Sequence, residues 1–203
     1  NTFDYFLFLP IVFALYWFVF NKSLKWQNAL VLIASYFFYG WWSWQFMGLL
    51  MLSTALDYFY GFWVASPNRK KAKLFLWLSI FNNLGILGVF KYYNFFALQA
   101  QQAFDLIGIH ANPVLLNIAL PIGISFYTFH GLSYVIDVYY RRIPVARNFT
   151  AYSVFVCFFP LLVAGPIERA SHLLPQVKNN RQFRYDKAVN GLRQILWGLF
   201  KKI

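Results

Sequence analysis

The chain has 203 residues, of which 60% are hydrophobic, 23% aromatic and only 12% charged, and its 18 basic and 6 acidic residues give a net charge of +12. Soluble domains carry roughly 25% charged residues, so this composition excludes an ordinary soluble domain and indicates an integral membrane protein. The basic residues fall in short segments between apolar runs, which is typical of cytoplasmic loops and of contact with anionic membrane lipid. No motif of a nucleic-acid-binding fold accompanies them, and we expect no nucleic-acid partner.

The first apolar run predicts a spanning helix and not a signal peptide, because it has neither a basic segment before it nor a small-residue cleavage site. The chain begins with Asn, and it stops at "QILWGLFKKI", within or just after an apolar helix. We therefore expect the chain to be a fragment, the amino-terminal portion of a longer protein.

Apolar runs recur along the whole chain and predict an all-α polytopic helical bundle that forms one membrane domain, 1–203. These runs are 5–20, 26–56, 74–90, 106–136, 149–167 and, broken only by Arg193, 188–200. A spanning helix needs about 20 residues, so residues 26–66 should form a hairpin of two helices that turns near "YGWWSWQ". The tryptophan cluster at 41–44 would mark a membrane surface.

The distribution of Lys and Arg predicts the orientation in the membrane. Basic residues concentrate at 22–25, 68–73, 139–147 and 168–187. These loops should be cytoplasmic, which places the amino terminus outside, a polar segment at 91–113 outside and a returning span at 115–138. We expect this arrangement in the bacterial inner membrane.

The run 149–167 does not fit one crossing, because basic loops flank it on both sides. It contains Pro160, Gly165 and Pro166, so we expect a re-entrant segment beside a cytoplasmic cavity. The "GPIER" stretch at 165–169 fits the tip of such a segment and an ordinary turn equally well.

Ionisable groups within apolar runs cost about 2.5 to 3.5 kcal/mol on the insertion scale, and each is a candidate for function. Asp57 has Ser53 one turn before it and Gly61 one turn after it, and we favour a helix-packing aspartate over a functional one. Asp137 has Arg141 four residues on, which predicts an interfacial ion pair.

His130 lies two helical turns before Asp137, about 10 Å along a regular helix, which is too far for a hydrogen bond. It shares its helical face with Tyr127, Ser133 and Tyr134, so this face should point into the bundle. A packing or cavity-lining histidine is favoured over a catalytic one.

The other candidate ligands predict no metal site. His110 and His172 lie in polar segments that we expect to be solvated loops. The single cysteine, Cys157, has no partner at a metal-binding spacing.

Three motifs in order along the chain carry a resemblance to a known family. They are "LPIGISFYTFHGLSYVIDVYYRR" at 120–142, "FFPLLVAGPIERASHLLPQ" at 158–176 and "GLRQILWGLFKKI" at 191–203. Together with "NTFDYFLFLPIVFALYWFV" and "NALVLIASYFFYGWW" nearer the amino terminus, they resemble the membrane-bound O-acyltransferase family, in its bacterial alginate O-acetyltransferase-like branch.

The resemblance implies an acetyltransferase that moves an acetyl group from a cytoplasmic donor to hydroxyls of a cell-surface polysaccharide outside. The donor would be acetyl-CoA or an acyl carrier, with no other cofactor bound, and a separate extracytoplasmic acetyltransferase partner is expected. The family's catalytic histidine would lie beyond Ile203, so His130 does not inherit that role and this chain alone should be inactive.

Residues around the predicted cavity follow from the same resemblance, and some could donate hydrogen bonds to a developing oxyanion. The candidates for lining the cavity are Ser125, Tyr127, Thr128, His130, Tyr134, Gly165, Pro166, Glu168 and Arg169. The buried polar candidates are Asp57 and Asp137.

Two other classes of protein remain open at this point. A transporter or channel module also uses broken helices and buried Asp or His residues. A noncatalytic scaffold could bind an extracytoplasmic partner through 41–44 and 91–113. Within the acetyltransferase reading, the acceptor could be alginate, cellulose, peptidoglycan, another glycan or teichoic acid.

Overall fold

A computed structural model describes residues 2–106, 108, 115, 120–163 and 165–202. These residues form helices and no strand, which confirms the all-α prediction. The helices are α1 (Thr2–Ala14), which continues into a π-helical turn (Leu15–Val19), α2 (Leu24–Trp42), α3 (Trp44–Val64), α4 (Arg69–Leu106), α5 (Ile124–Tyr139), α6 (Phe149–Cys157), α7 (Phe159–Leu162), α8 (Ala170–Lys178) and α9 (Tyr185–Lys202).

The predicted hairpin is present, and α2 and α3 meet at Ser43. Ser43 is extended, with φ −159° and ψ 110°, so the helical backbone conformation is interrupted at this one residue. Its N–H donates to the Tyr39 carbonyl at 3.1 Å, which closes α2. Trp41 and Trp44 on either side are 75% and 73% exposed, as expected of side chains at a membrane surface.

The third apolar run lies in α4, which extends well beyond the predicted 74–90. With 38 residues, α4 is the helix among the described residues that has the length and apolar composition of a membrane span. The apolar segment Asp4–Val19 is shorter than a span requires. The first part of the predicted external segment, 91–113, continues α4 as far as Leu106. No Pro or Gly interrupts the helix after Gly88.

The helix predicted at 115–138 begins only at Ile124. Gly123 adopts the left-handed conformation, with φ 77°, and forms the N-cap of α5. Pro121 lies two residues before it. Pro121 and Gly123 both disfavour a helix that would extend α5 toward the amino terminus. A side chain at position 123 would also collide with the Leu162 carbonyl oxygen, so α5 begins against α7.

The proline-containing segment is broken into α6 and α7 at Phe158, whose φ of −54° and ψ of 105° are not helical. Pro160 lies in the first turn of α7, where its missing N–H is not needed. The Phe159 N–H instead donates to Ser35 Oγ at 3.2 Å. The break that the sequence predicts is present; the re-entrant path remains a prediction.

The core lies where α3, α4 and α5 pack together, with α2, α6 and α8 around them. Tyr39, Tyr127, Tyr134 and Tyr152 are almost fully buried in it. His172 was predicted in a loop and lies in α8 instead, although it is exposed. His110 lies outside the described residues.

Candidate functional site

The Asp57 carboxyl group is enclosed where α3, α4 and α5 cross, and only 1% of the residue is exposed. Its Oδ1 accepts hydrogen bonds from Asn83 Nδ2 at 2.6 Å and from Ser79 Oγ at 3.2 Å. The Asn83 amide also donates to the Ser79 carbonyl at 3.0 Å, which ties the cluster together within α4. Buried polar groups need such partners, so these contacts support the predicted helix-packing role of Asp57.

Two glycines bring α5 against α3 at this crossing. A Cβ on Gly131 would overlap Asp57 Oδ2, and a Cβ on Gly61 would overlap the Tyr134 ring and hydroxyl. Small residues allow helices to approach this closely. Tyr134 Oη in turn accepts a hydrogen bond from the Ala146 N–H at 3.0 Å, which fixes the segment after α5.

His130 is fully buried, and its predicted interior-facing stripe is confirmed for Tyr127 and Tyr134. Its Nδ1 lies 3.4 Å from the Val156 carbonyl oxygen, and its ring lies beside Phe155 with centroids 5.5 Å apart. A carbonyl oxygen only accepts, so Nδ1 carries the proton in this contact. His130 Nε2 has no hydrogen-bond partner among the described residues. Because α5 is an unbroken helix through Asp137, the two residues form no pair.

The ion pair predicted for Asp137 forms with a different arginine. Arg142 Nη1 lies 3.3 Å from Asp137 Oδ1, whereas Arg141 donates to the carbonyl oxygens of Ala65 and Ser66 at 2.9 and 3.0 Å. The prediction of Arg141 was wrong because α5 ends at Tyr139 and Arg141 has φ 59°. Helical spacing therefore no longer applies at that residue.

The predicted cavity-lining residues divide into two groups. Tyr127, Thr128, His130 and Tyr134 are buried in the α5 packing, and Ser125 is half-buried. The remaining candidates lie between α7 and α8, largely at the surface: Gly165, Pro166, Glu168 and Arg169. Their role in lining a cavity remains a prediction.

The "GPIER" stretch contains a backbone turn and a local ion pair. Gly165 has φ 138°, a conformation that favours glycine, so the turn at this position depends on it. Glu168 Oε2 lies 2.7 Å from His172 Nδ1, one helical turn on in α8. This contact joins the segment before α8 to the first turn of that helix.

A cavity of about 550 Å³, which we call the basic cavity, opens between α2, α6 and α8. Its lining residues are Leu24, Lys25, Asn28, Pro144, Val145, Arg147, Asn148, Ala151 and Lys178. Sequence reasoning missed it as a site, because its three cations lie in basic segments far apart in the chain. The sequence feature that could have indicated the site is the basic charge of those three segments.

A second cavity of about 310 Å³ is mainly apolar and lies between α1, α2, the α6–α7 break and α8. Val12, Val31, Phe158 and Phe159 contribute to its wall, and Arg181 also lines it. The Arg181 guanidinium also donates to Asn28 Oδ1 at 2.7 Å. Among the described residues, no group of three His, Cys, Asp or Glu side chains lies close enough to hold a metal ion.

Comparison with known proteins supports the resemblance inferred from the motifs. The chain is 40% identical over 200 residues to a probable alginate O-acetylase of Pseudomonas syringae pv. tomato, covering 98% of this chain and 38% of that protein. It is 38% identical to a probable alginate O-acetylase of Pseudomonas aeruginosa, again over 98% of this chain and 38% of that protein. A peptidoglycan O-acetyltransferase of Helicobacter pylori is 32% identical over 228 residues, covering 98% of this chain and 42% of that protein.

These matches confirm the predicted resemblance to membrane-bound O-acyltransferases. Within that class, the chain is similar to proteins named alginate O-acetylase and peptidoglycan O-acetyltransferase. The chain spans about two fifths of the length of these curated relatives. No family model and no solved structure matches the chain.

Proposed function

We propose that the complete protein containing this chain is a membrane O-acetyltransferase that transfers acetyl groups from a cytoplasmic donor to hydroxyls of a cell-surface glycan. Acetyl-CoA or an acyl carrier supplies the acetyl group. The chain crosses the bacterial inner membrane several times with its amino terminus outside, and an extracytoplasmic acetyltransferase works with it. The observation that carries this proposal is the similarity of nearly the whole chain to curated O-acetylases.

The convergence of three basic segments supports the proposed topology. The basic cavity is lined by Lys25 from the first turn of α2, Arg147 from the segment after α5 and Lys178 from the end of α8. Segments that meet in one cavity at the surface lie on one side of the membrane, which agrees with the positive-inside expectation. A path that enters and returns through α6 and α7 would bring the last two segments to the same face.

A transporter or channel is the weaker alternative. Asp57 is held by Asn83 and Ser79 and covered by Gly131, and Asp137 is paired with Arg142. These contacts give both aspartates a structural role, so neither needs an ion path to explain its burial.

The test is acetyl transfer by the complete protein reconstituted in lipid vesicles with radiolabelled acetyl-CoA or acyl carrier and with alginate or peptidoglycan fragments outside. We expect label to reach an ester on the glycan once the extracytoplasmic partner is added. Solute flux from the same vesicles without acetyl transfer would favour the transporter instead. A scaffold would show neither reaction, although it would bind the extracytoplasmic partner.

A further inference from the structure

We propose that the basic cavity between α2, α6 and α8 is a phosphate-binding site. Its ligand is a molecule that carries a phosphate group on an apolar or neutral body. This proposal rests on the proposed function only for the cytoplasmic location of the cavity. Phosphate binding does not depend on acetyl transfer.

The charge of the cavity is the first argument. Lys25, Arg147 and Lys178 all line it, and none of the described residues in its lining is acidic. No described carboxylate forms a salt bridge with any of the three cations. Three cations around one open cavity, with no counterion among the described residues, attract a multivalent anion. A phosphate oxygen accepts the strong, charge-assisted hydrogen bonds that Lys and Arg donate.

The backbone adds partial positive charge at the same place. Leu24 and Lys25 form the first turn of α2, and its N-cap, Ser23, makes no capping hydrogen bond through its side chain. Asn148 lines the cavity as the N-cap of α6, but its Oδ1 already accepts the Ala151 N–H at 3.1 Å. Helix N-termini carry unsatisfied N–H groups and favour anions, so the start of α2 reinforces what the three cations already provide.

The size and the remaining lining define the rest of the ligand. A volume of about 550 Å³ lies within the range of ligand pockets, roughly 300 to 1,000 Å³. Leu24, Pro144, Val145 and Ala151 give it apolar wall between the cations. A bare inorganic ion would leave this wall uncovered, whereas a phosphate attached to a larger organic body would cover it.

The cavity partly encloses Lys178, whereas Lys25 and Arg147 are exposed. Partial burial lowers the pKa of the Lys178 ammonium, because the charged form loses hydration. A bound phosphate would replace that hydration and restore the charged form. Two sources offer this chemistry on the cytoplasmic side, namely the headgroup of an anionic phospholipid and the phosphates of a nucleotide-type acyl donor.

The experiment measures binding to the complete protein in nanodiscs, with two probes. CoA is titrated by calorimetry into protein in phosphatidylcholine discs, and retained phosphatidylglycerol is measured by native mass spectrometry after exchange into mixed discs. The test variant combines Lys25→Gln, Arg147→Gln and Lys178→Gln. The matched control combines Lys70→Gln, Lys71→Gln and Lys73→Gln, which removes the same charge from the exposed start of α4.

We expect the unsubstituted protein and the control to bind at least one probe. The test variant should bind it at least about tenfold more weakly, the factor expected when one charge-assisted hydrogen bond is lost. Binding of CoA would identify a soluble nucleotide-type molecule as the source of the phosphate. Retention of phosphatidylglycerol without CoA binding would identify a membrane lipid as the source. Equal binding by test and control variants, or no binding of either probe by the unsubstituted protein, would overturn the proposal.

A footprint on the unsubstituted protein covers the case in which the triple variant does not fold. Lysine acylation is followed by mass spectrometry with and without each probe. Lys25 and Lys178 should be protected by the probe that binds, whereas Lys22, which does not line the cavity, should react equally in both conditions. Unchanged labelling of Lys25 and Lys178 with both probes would contradict the assignment.

Discussion

The Asp57 cluster places a glycine of one helix directly on a carboxyl group of another. Asn83 and Ser79 satisfy Oδ1, and Gly131 leaves room for Oδ2 on the other side. The position of α5 therefore depends on the missing side chain at 131. The same crossing thus packs α5 closely against α3 and provides the hydrogen bonds to the buried Asp57 carboxyl group.

We expect Gly131→Ala to destabilise the protein by about 1 to 3 kcal/mol, the usual cost of overpacking a core. The measurement is the midpoint of thermal unfolding of the detergent-solubilised protein. Gly85→Ala is the matched control, because it lies within α4 and a Cβ there would meet no atom within 4 Å. The control should be as stable as the parent or slightly more so, since Ala favours helix. Equal loss in both variants would mean that the contact with Asp57 does not limit the packing.

His130 gives a second test at the residue scale. We expect His130→Ala in the complete protein to reduce acetyl transfer partially, because the side chain packs on Phe155 and its Nδ1–H donates to the Val156 carbonyl. His130→Gln, which retains a donor, should lose less activity than His130→Ala. Initial rates at normal expression levels measure both. Complete loss in both variants would assign His130 a catalytic role.

At the scale of elements, the break between α6 and α7 is the feature on which the predicted re-entrant path depends. Phe158 separates the two helices, and α7 ends at Leu162 against Gly123, the N-cap of α5. The basic segments before α6 and at the end of α8 meet in the basic cavity. One crossing between them would separate these segments by the thickness of the bilayer.

Cysteine labelling tests this path. We expect Arg142→Cys and Lys178→Cys, in a background with Cys157→Ala, to react with a membrane-impermeant maleimide from the same, cytoplasmic side. Trp41→Cys, at the exposed turn between α2 and α3, is the reference for the outer side. The native Cys157 is a buried free thiol. With Cys157 replaced, any labelling of this chain comes from the introduced cysteine. Labelling of positions 142 and 178 from opposite sides would show that the segment crosses the membrane.

Elements were predictable where local rules decide them. The Trp41–Trp44 turn and the break near Pro160 follow from residues whose backbone or interfacial preferences act locally. The start of α5 and the partner of Asp137 were not predicted correctly, because Gly123 packs against Leu162 and Arg141 adopts a positive φ to reach Ala65. These contacts join segments distant in sequence, and spacing along one helix cannot reveal them.

For the whole molecule, the distribution of charge predicts which surfaces face the cytoplasm. Lys and Arg outnumber Asp and Glu by 18 to 6, and the structure gathers basic side chains from three separate segments into one cavity. The charge pattern predicts the side of the membrane on which these segments lie. It could not indicate that the cations converge, since that depends on the packing of α2, α6 and α8.

Reporter fusions check the orientation of the whole chain. Alkaline phosphatase fused after Trp42 should be active, because that turn is expected outside, and the same enzyme fused after Asn68 should be inactive. Green fluorescent protein fused at the same points should give the opposite pattern, since it fluoresces only when folded in the cytoplasm. If both reporters gave the reverse pattern at both points, the chain would have the opposite orientation and the basic cavity would lie outside.

The contact of Gly131 with Asp57 also constrains how such sequences can change over time. A residue larger than glycine at position 131 is compatible with this packing only if position 57 becomes smaller or α3 and α5 move apart. The two positions lie 74 residues apart in the chain, yet they should substitute together. An alignment of relatives in which position 131 varies freely while Asp57 is retained would show that the helices do not meet as closely as described.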